Sequence, residues 1–387
     1  MQYRECKATG NKLSALGLGC MRFPRDKNET ERMISTAIDG GVNYFDTAYF
    51  YPGSENTLGS ILAKLNKRKD VFIATKLPLM MCKNAEDFDR LFDEQLRRLQ
   101  TVYIDYYMMH NISSFAQWEK FRAMGIEDWI AKKIKAGQIR HIGFSYHGSC
   151  DDFIKTLDSY AWEFCLIQYN YYDENYQAGK KGLQAAAEKG ISVMIMEPLL
   201  GGRLATGLPE HAVKVFTNAN PELTPADRAL HWLWNQNEVT VVLSGMSKVS
   251  QMESNINAIK SFKPLSDDEL AVYDKVLEIF RKSYKIPCTG CGYCLPCPQG
   301  INIPACFTAL NARYAQGFIT AISLYMNTTA LITKHPMSPR ICNGCGKCEK
   351  HCPQYIPIRN DLKKVTRSLE PLPIRFVAAL IRSIMTR

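Results

Sequence analysis

Asn43-Tyr44-Phe45-Asp46-Thr47-Ala48-Tyr49-Phe50-Tyr51 passes from a short apolar run directly into polar residues. Similar apolar runs recur along the chain and alternate with stretches whose apolar spacing is typical of amphipathic helices. Such continuous runs are typical of parallel strands, because a parallel sheet is covered on both faces. Eight strands are predicted, at Ser14–Leu18, Val42–Phe45, Val71–Thr75, Ile104–Met109, His141–Phe144, Cys165–Tyr169, Ser192–Met196 and Val239–Leu243. Eight is the number that closes a (β/α)8 TIM barrel, an α/β fold.

The barrel is predicted to occupy residues 1–283. Two helices, over Val249–Ser261 and Ser266–Ser283, follow the last strand and complete its outer ring. Asn28 and Ser54 are predicted as caps at the starts of two earlier helices, because their side chains can accept hydrogen bonds from free backbone N–H groups. Lys285-Ile286-Pro287 then ends the helical pattern.

Composition narrows the class of protein. Of the 387 residues, 46% are hydrophobic and 22% are charged, as in a globular protein. The formal charge of +10 comes from scattered Lys and Arg, which argues against a nucleic-acid partner. There is no long apolar run, and no signal-peptide pattern begins at Met1, so a cytoplasmic protein is expected.

Polar residues gather where the predicted strands end, which is where barrel enzymes carry their chemistry. Asp46 and Tyr51 follow the second strand, Lys76 follows the third and His110 follows the fourth. Each alone has an ordinary structural explanation, such as a locally satisfied histidine or a structural Lys-Asp pair. Their occurrence on three successive strand ends favours a catalytic set.

This set suits carbonyl reduction by hydride, which leaves an alkoxide that needs a proton. Free tyrosine, with a pKa of about 10, is a poor acid at neutral pH, so its pKa has to fall. We assign Tyr51 as the general acid, Lys76 as the cation that stabilises its phenolate, and Asp46 as the group that orients Lys76. His110, if neutral, can hydrogen-bond the substrate carbonyl.

Asn43 to Ala48, Tyr51, Lys76 and His110 resemble the tetrad pattern of the aldo/keto reductases, over roughly residues 5–260. The resemblance implies an NAD or NADP cofactor at the C-terminal rim and a small carbonyl or alcohol substrate. Ser145, Gln168 and the loops after the last two strands look like its cofactor-contacting residues, with small residues that let backbone N–H groups approach a pyrophosphate. The expected cofactor-binding residues in those loops are Glu197, Pro198, Leu199, Gly201, Gly202, Ser244, Gly245, Ser247, Gln251 and Asn255.

Some of these positions depart from the commonest family pattern. Ser145 is followed by Tyr146 where a Ser-Asn pair is usual, Leu166 stands in a usual glutamine's place, and Met196 replaces an aromatic residue. Gln251 stands where an arginine often binds the 2′-phosphate side of the adenosine. The choice between NAD and NADP therefore stays open.

Nine of the 14 cysteines lie between Cys288 and Cys352, which indicates metal ligands in a chain without a secretion signal. Two C-x2-C-x2-C runs are each followed by a Cys-Pro, a pattern typical of two [4Fe-4S] clusters in which the fourth cysteine binds the other cluster. The predicted ligand sets are Cys288, Cys291, Cys294 and Cys352 for one cluster, and Cys342, Cys345, Cys348 and Cys297 for the other. Zinc is the alternative, but it typically uses separated cysteine pairs. Cys306 is off the pattern and is expected in a core.

Residues 284–360 are thus predicted as a small α-helical ferredoxin-like domain, with a helical linker over about residues 305–330. The whole resembles the aldo/keto reductase subgroup with a C-terminal ferredoxin-type domain. The tail, residues 361–387, has apolar residues at helical spacing, and docking on the body is favoured over binding a membrane surface.

Two functions follow from these residues. The first is an NAD(P)-dependent oxidoreductase whose clusters either carry electrons, with a possible redox partner protein, or hold the C-terminal segment in place. The alternative is an electron-transfer or redox-sensing protein whose barrel binds nucleotide without turnover. The intact tetrad favours the first.

Overall fold

A closed barrel of eight parallel strands forms the centre of the fold. The structure is a computed structural model, and it describes residues 1–329, 331 and 337–385. An antiparallel hairpin, β1 (Tyr3–Glu5) and β2 (Lys12–Ser14), precedes the barrel. The barrel strands are β3 (Leu16–Gly19), β4 (Tyr44–Asp46), β5 (Phe72–Leu77), β6 (Ile104–Ile112), β7 (Ile139–Tyr146), β8 (Phe164–Gln168), β9 (Ser192–Met196) and β10 (Val239–Ser244). The predicted strands and the predicted barrel are confirmed, with shifts only at strand ends.

Each strand pairs in parallel with the next, and β10 closes the ring by pairing with β3. Apolar side chains fill the interior, among them Tyr44, Tyr106 and Leu166. Cys6 and Leu13, from the hairpin end of the chain, pack into the same interior core. The interior is therefore a packed core, as barrels of eight strands require, and the predicted catalytic residues lie at or just after the carboxyl ends of the strands.

Ten α-helices alternate with the strands or follow them along the described part of the chain up to residue 265. They are α1 (Lys27–Asp39), α2 (Ser54–Lys64), α3 (Glu86–Leu99), α4 (Phe115–Ala123), α5 (Ile126–Lys135), α6 (Cys150–Asp158), α7 (Gly179–Glu188), α8 (Glu210–Ala219), α9 (Pro225–Trp234) and α10 (Val249–Ser261). Helix α10 has the predicted bounds.

Both predicted helix caps are wrong. Helix α1 begins one residue after Asp26, whose carboxylate accepts the N–H of Asn28 at 2.8 Å. Helix α2 is preceded by Gly53 in the left-handed region, with φ 70°, and the Ser54 hydroxyl instead donates to the Cys20 carbonyl. A short polar side chain near a helix start has several competing backbone partners, so the pattern alone does not fix which residue is the cap.

Six α-helices follow among the described residues of the C-terminal part. They are α11 (Asp267–Ser283), α12 (Ile303–Ala315), α13 (Phe318–Thr329), α14 (Lys347–Lys350), α15 (Ile358–Leu369) and α16 (Leu372–Met385). Ser266 and Glu269 form a reciprocal capping box at the start of α11. The predicted linker helix is two helices, because Gly317, with φ 91°, separates α12 from α13.

Packing divides the chain into two compact units. The first unit comprises residues 1–198 and 229–265, and the second comprises residues 199–228 and 266–387. The second unit thus contains α11 and the segment that follows β9, in addition to the cysteine-rich residues. The sequence assigned both of those elements to the barrel domain, and the functional boundaries at residues 284 and 361 stay a prediction.

The second unit has its own apolar core. It includes the buried residues Ile303, Phe307, Leu310 and Val365 and also Cys306, which is fully buried as expected. Asn311 links α12 to the chain after α11, since its amide accepts the N–H groups of Lys285 and Ile286 at 3.0 Å each.

The tail ends in α16, which is amphipathic as predicted. Ala378 is buried and Ile374 packs against the core of the second unit, whereas Leu372, Phe376 and Leu380 are exposed. Side chains beyond Leu380 and all of residues 386–387 lie outside the described residues. No helix in the part of the chain that the structure describes is long and apolar enough to cross a membrane.

Candidate active site

Lys76, at the end of β5, is fixed by three hydrogen bonds inside the first unit. Its Nζ donates to both carboxylate oxygens of Asp46, at 2.7 and 2.8 Å, and to the Thr47 carbonyl at 2.7 Å. Lys76 is 1% exposed and Asp46 is 3% exposed. Burial raises the pKa of Asp46 above its usual value, and the ammonium of Lys76 limits that rise. The pair therefore holds one cation in one position.

That cation lies next to Tyr51. The Nζ atom of Lys76 is 5.2 Å from the centre of the Tyr51 ring. Tyr51 lies in the loop after β4, where its N–H donates to the Ala48 carbonyl at 3.0 Å in a tight turn. Three of the four predicted catalytic residues are thus brought together.

His110, on β6, completes the set. Burial lowers the pKa of His110 well below its usual range, and the charges of Lys76 and His147 lower it further. The ring is therefore neutral at physiological pH. Its Nδ1 has no hydrogen-bond partner among the described residues, although the side chain is 93% buried, with 7% exposed. Phe50 packs beside it, with ring centres 5.7 Å apart.

A buried polar network supports the ends of β4 and β5. Glu55 accepts hydrogen bonds from Thr75 and Gln95, each at 2.7 Å, and Arg98 lies 3.3 Å from the same carboxylate. Gln95 also donates to the Lys76 carbonyl at 3.1 Å. This network anchors the backbone of the residue that carries the cation.

The rim of β7 and β8 places two predicted cofactor-binding residues in defined contacts. The Ser145 hydroxyl accepts the N–H of Asn111 at 2.7 Å. Gln168 is 1% exposed; its amide donates to Asp173 at 2.7 Å and accepts from Gln177 at 3.1 Å. Leu166 lies on the same strand among interior core residues.

The loop between β10 and α10 brings four predicted residues together. Asn255 donates to the Ser244 hydroxyl at 2.9 Å, and the N–H of Ser247 donates to the Gln251 side chain at 2.8 Å. Gly245 lies between Ser244 and Ser247 in the sequence. These contacts shape a polar loop at the carboxyl end of a barrel strand.

The loop after β9 is divided between the two units. Glu197, with φ 56°, and Pro198 belong to the first unit, whereas Leu199, Gly201 and Gly202 belong to the second. Within the second unit, Gly201 lies against the backbone of Thr289: a Cβ at Gly201 would be 1.9 Å from the Thr289 carbonyl oxygen.

Sequence reasoning missed a second histidine near the site. His147 is 7% exposed, and its Nδ1 lies 3.0 Å from the Gln177 side-chain oxygen. Burial lowers the pKa of His147 to about 4. It follows Ser145 by two residues just past β7, so the same strand-end rule that found His110 would have found it. The contact with Gln177, 30 residues away along the chain, has no local signal.

Comparison with known protein families identifies the family to which the barrel belongs. The family model described as "Aldo/keto reductase family" matches residues 15–278. The chain belongs to the aldo/keto reductase family. It is accordingly an oxidoreductase, and the matched region ends before Cys288.

Curated relatives agree with the family, and a solved structure has the same fold. L-galactose dehydrogenase of Arabidopsis thaliana is 29% identical over 312 residues, covering 72% of this chain and 95% of its own. L-glyceraldehyde 3-phosphate reductase of Escherichia coli O157:H7 is 26% identical over 324 residues, covering 71% and 92%. An aldo-keto reductase of Bacillus halodurans, in its holo form, has a TM-score of 0.61 at 24% identity, covering 71% and 96%, which shows the same fold.

Beyond the matched region, this aldo/keto reductase family member carries cysteines in two groups. The first group is Cys288, Cys291, Cys294 and Cys352, which line one cavity. Burial and the neighbouring thiols of this group raise the pKa of Cys294 to about 12. The second group is Cys297, Cys342, Cys345 and Cys348, which line another cavity that Cys294 also borders.

Among the described residues, no three His, Cys, Asp or Glu side chains lie close enough to hold a single metal ion.

Proposed function

We propose that this protein is an NAD(P)-dependent aldo/keto reductase that interconverts a carbonyl and an alcohol, with Tyr51 as the proton donor. The proposal depends on one observation. Lys76 is held by Asp46 and the Thr47 carbonyl with its ammonium 5.2 Å from the Tyr51 ring centre. A fixed cation beside a phenol stabilises the phenolate, which makes the phenol a better acid.

The residues divide the proton chemistry among them. Tyr51 donates the proton to the substrate oxygen as negative charge develops there. Lys76 stabilises the phenolate that is left, and Asp46 keeps Lys76 charged and in place. His110, being neutral, can donate a hydrogen bond to the same oxygen and thereby position the carbonyl.

The dinucleotide, when bound, supplies or accepts the hydride. We assign its binding to the rim residues of the barrel and to the loop after β9. Ser145 and Gln168 would contact the nicotinamide side, and the β10–α10 loop with Gln251 and Asn255 the adenosine side. The small residues Gly201, Gly202 and Gly245 allow backbone N–H groups to approach phosphate oxygens. Both NAD and NADP remain candidates.

We further propose that the chain belongs to the subgroup with a ferredoxin-type domain over residues 284–360, which binds two [4Fe-4S] clusters. Supporting this, each predicted ligand set lines one cavity of the second unit. Gly290, Gly292, Gly344 and Gly346 all have positive φ, as tight cysteine-bearing loops require. The clusters, when bound, supply one-electron chemistry or fasten the two loops together.

Tyr51→Phe tests the assigned acid. We expect the variant to lose carbonyl reduction by at least about a hundredfold, the usual range for a general acid, while dinucleotide binding measured by fluorescence titration stays nearly unchanged. Tyr49→Phe is the matched control, because Tyr49 is on the same loop and its ring is covered by Arg98, 3.9 Å from the ring centre. Undiminished turnover in Tyr51→Phe, in a screen of aldehydes and ketones with NADH and NADPH, would refute the assignment.

Iron and sulfide analysis of anaerobically purified protein tests the clusters. We expect about eight irons and eight sulfides per chain, since each cubane contributes four of each. Cys345→Ser should lose the signal of one cluster. Stoichiometric zinc in the wild type, lost in the variant, would show that the metal assignment is wrong.

A further inference from the structure

The two cysteine cavities differ in what surrounds them. Apolar side chains line the first cavity beside its cysteines, including Pro304, Phe307 and Ile356. Three basic residues line the second, namely Lys347, His351 and Arg359. Cys345 of the second group is exposed, whereas Cys288 of the first is buried. One site is therefore sheltered and the other reaches the surface among positive charges.

The segment that supplies Cys342, Cys345 and Cys348 exposes only basic charges, and two of these residues, Lys347 and Arg359, line the second cavity. All exposed Lys, Arg, Asp and Glu residues between residues 337 and 375 are cations. They are Arg340, Lys347, Lys350, Arg359, Lys363, Lys364, Arg367 and Arg375.

The acidic residues of this segment do not offset that charge at the surface. Glu370 is 2% exposed and paired with Arg340, and Asp361 is 4% exposed and 2.7 Å from Lys364. Glu349 is half-buried and lies 2.7 Å from Arg359. Lys347 and Lys350, next to Cys345 and Cys348, form no ion pair within the described residues. Their charges are available to a partner.

An exposed apolar side chain borders the second cavity. Leu295 lines the second cavity and is 41% exposed. A small apolar contact surrounded by charge is the composition of a transient protein interface, in which charge steers the encounter and little apolar area is buried.

We propose that the surface formed by Lys347, Lys350, Arg359 and Leu295 is an electron-exchange port. It docks an acidic one-electron carrier protein over the cluster of Cys297, Cys342, Cys345 and Cys348. The proposal rests on the proposed function, because it requires that cluster. A reduced carrier gives one electron to the oxidised cluster, so the carrier is oxidised by one electron and the cluster is reduced by one. No proton or bond change is needed. The cations attract an acidic partner and repel a basic one.

Charge reversal in Lys347→Glu/Lys350→Glu tests the port. Lys7→Glu/Lys69→Glu, at two exposed lysines of the first unit, is the control for the change in net charge. The probes are a pre-reduced acidic plant-type ferredoxin, mixed with the oxidised protein, and, as a carrier of opposite charge, oxidised basic cytochrome c, mixed with the dithionite-reduced protein. Stopped-flow absorbance follows reduction of the cluster by ferredoxin or reduction of cytochrome c by the cluster, and titration calorimetry measures binding of oxidised ferredoxin.

We expect the wild type to be reduced by ferredoxin at a rate that falls steeply from an ionic strength of about 0.01 M to about 1 M, where the screening length falls from about 30 Å to about 3 Å. The double variant should react at least about tenfold more slowly at low salt, bind ferredoxin more weakly and differ little from wild type at high salt. The control should match wild type, and cytochrome c should show the opposite salt dependence.

Equal rates and equal affinities in the double variant and the wild type would overturn the port, as would reduction that is insensitive to salt. Iron and sulfide counts and the dithionite-reduced electron paramagnetic resonance spectrum are measured first for each protein. Missing clusters in the wild type would refute the proposed function instead. A double variant that has lost clusters is replaced by Lys350→Glu alone, which leaves the residues lining the cavity unchanged.

Discussion

The buried Lys76–Asp46 pair links the proposed proton transfer to the stability of the fold. Removing one partner of a buried ion pair leaves an uncompensated charge, which typically costs about 3–5 kcal/mol. We therefore expect Lys76→Met to lose carbonyl reduction and to lower the free energy of unfolding by about that amount. Denaturant titration, followed by tryptophan fluorescence, measures the second effect.

The double variant Lys76→Met/Asp46→Leu separates the two roles. It removes both charges, so most of the lost stability should return, whereas activity should not. If the double variant is as unstable as Lys76→Met, the buried charge is not the source of the loss.

His147 gives a pH-dependent prediction at the same scale. Its pKa of about 4 in the folded protein lies below the unfolded value of about 6.5. Between those values the unfolded state binds more protons, so the free energy of unfolding falls as pH falls through this window. The contribution is on the order of 3 kcal/mol.

His147→Asn should lack this part of the pH dependence while keeping an N–H donor for Gln177. The measurement is the free energy of unfolding from pH 7 to pH 4 in both proteins, because the difference between them cancels the other titrating groups. Parallel curves would mean that His147 is not buried as a neutral ring.

At the scale of elements, the sequence predicted the positions of the strands. It predicted only part of the side-chain contacts at the rim to which we assign the cofactor. Continuous apolar runs such as Ser192–Met196 locate a strand to the residue, because a strand covered on both faces has no polar alternative. Lys76, Asp46 and His110 follow from strand ends. The contacts of Gln168 with Asp173 and Gln177 do not, since a loop conformation sets them. The division of the chain after Pro198 likewise depends on packing between distant segments.

Gly201 tests that packing. Its φ is 65° and a Cβ there would be 1.9 Å from the Thr289 carbonyl oxygen, so Gly201→Ala must displace the loop that carries Cys288 and Cys291. We expect the variant to lose iron and sulfide. Gly202→Ala is the matched control: its φ is 93°, with nothing within 4 Å of the added Cβ, so it carries the backbone strain without the clash. Equal iron content in the two variants would contradict the steric argument.

At the scale of the molecule, the division into two units joins the proposed cofactor loop to the cysteine sites. Residues 199–228 follow β9, a barrel strand, yet they belong to the unit that contains all nine C-terminal cysteines. Gly201 lies against the backbone of Thr289, between two of the proposed cluster ligands, so the conformation of the one loop depends on the other. Metal binding that orders a loop contributes its free energy to whatever that loop stabilises.

Removing iron should therefore weaken dinucleotide binding without changing the barrel. We expect protein treated anaerobically with a chelator and ferricyanide to bind NADPH or NADH several-fold more weakly in a fluorescence titration. Because all eight barrel strands lie in the first unit, the far-ultraviolet circular dichroism of the barrel should persist. Reconstitution with iron and sulfide should restore the affinity in wild type but not in Gly201→Ala. If iron removal leaves the dissociation constant unchanged, the loop after β9 holds its conformation independently of the clusters.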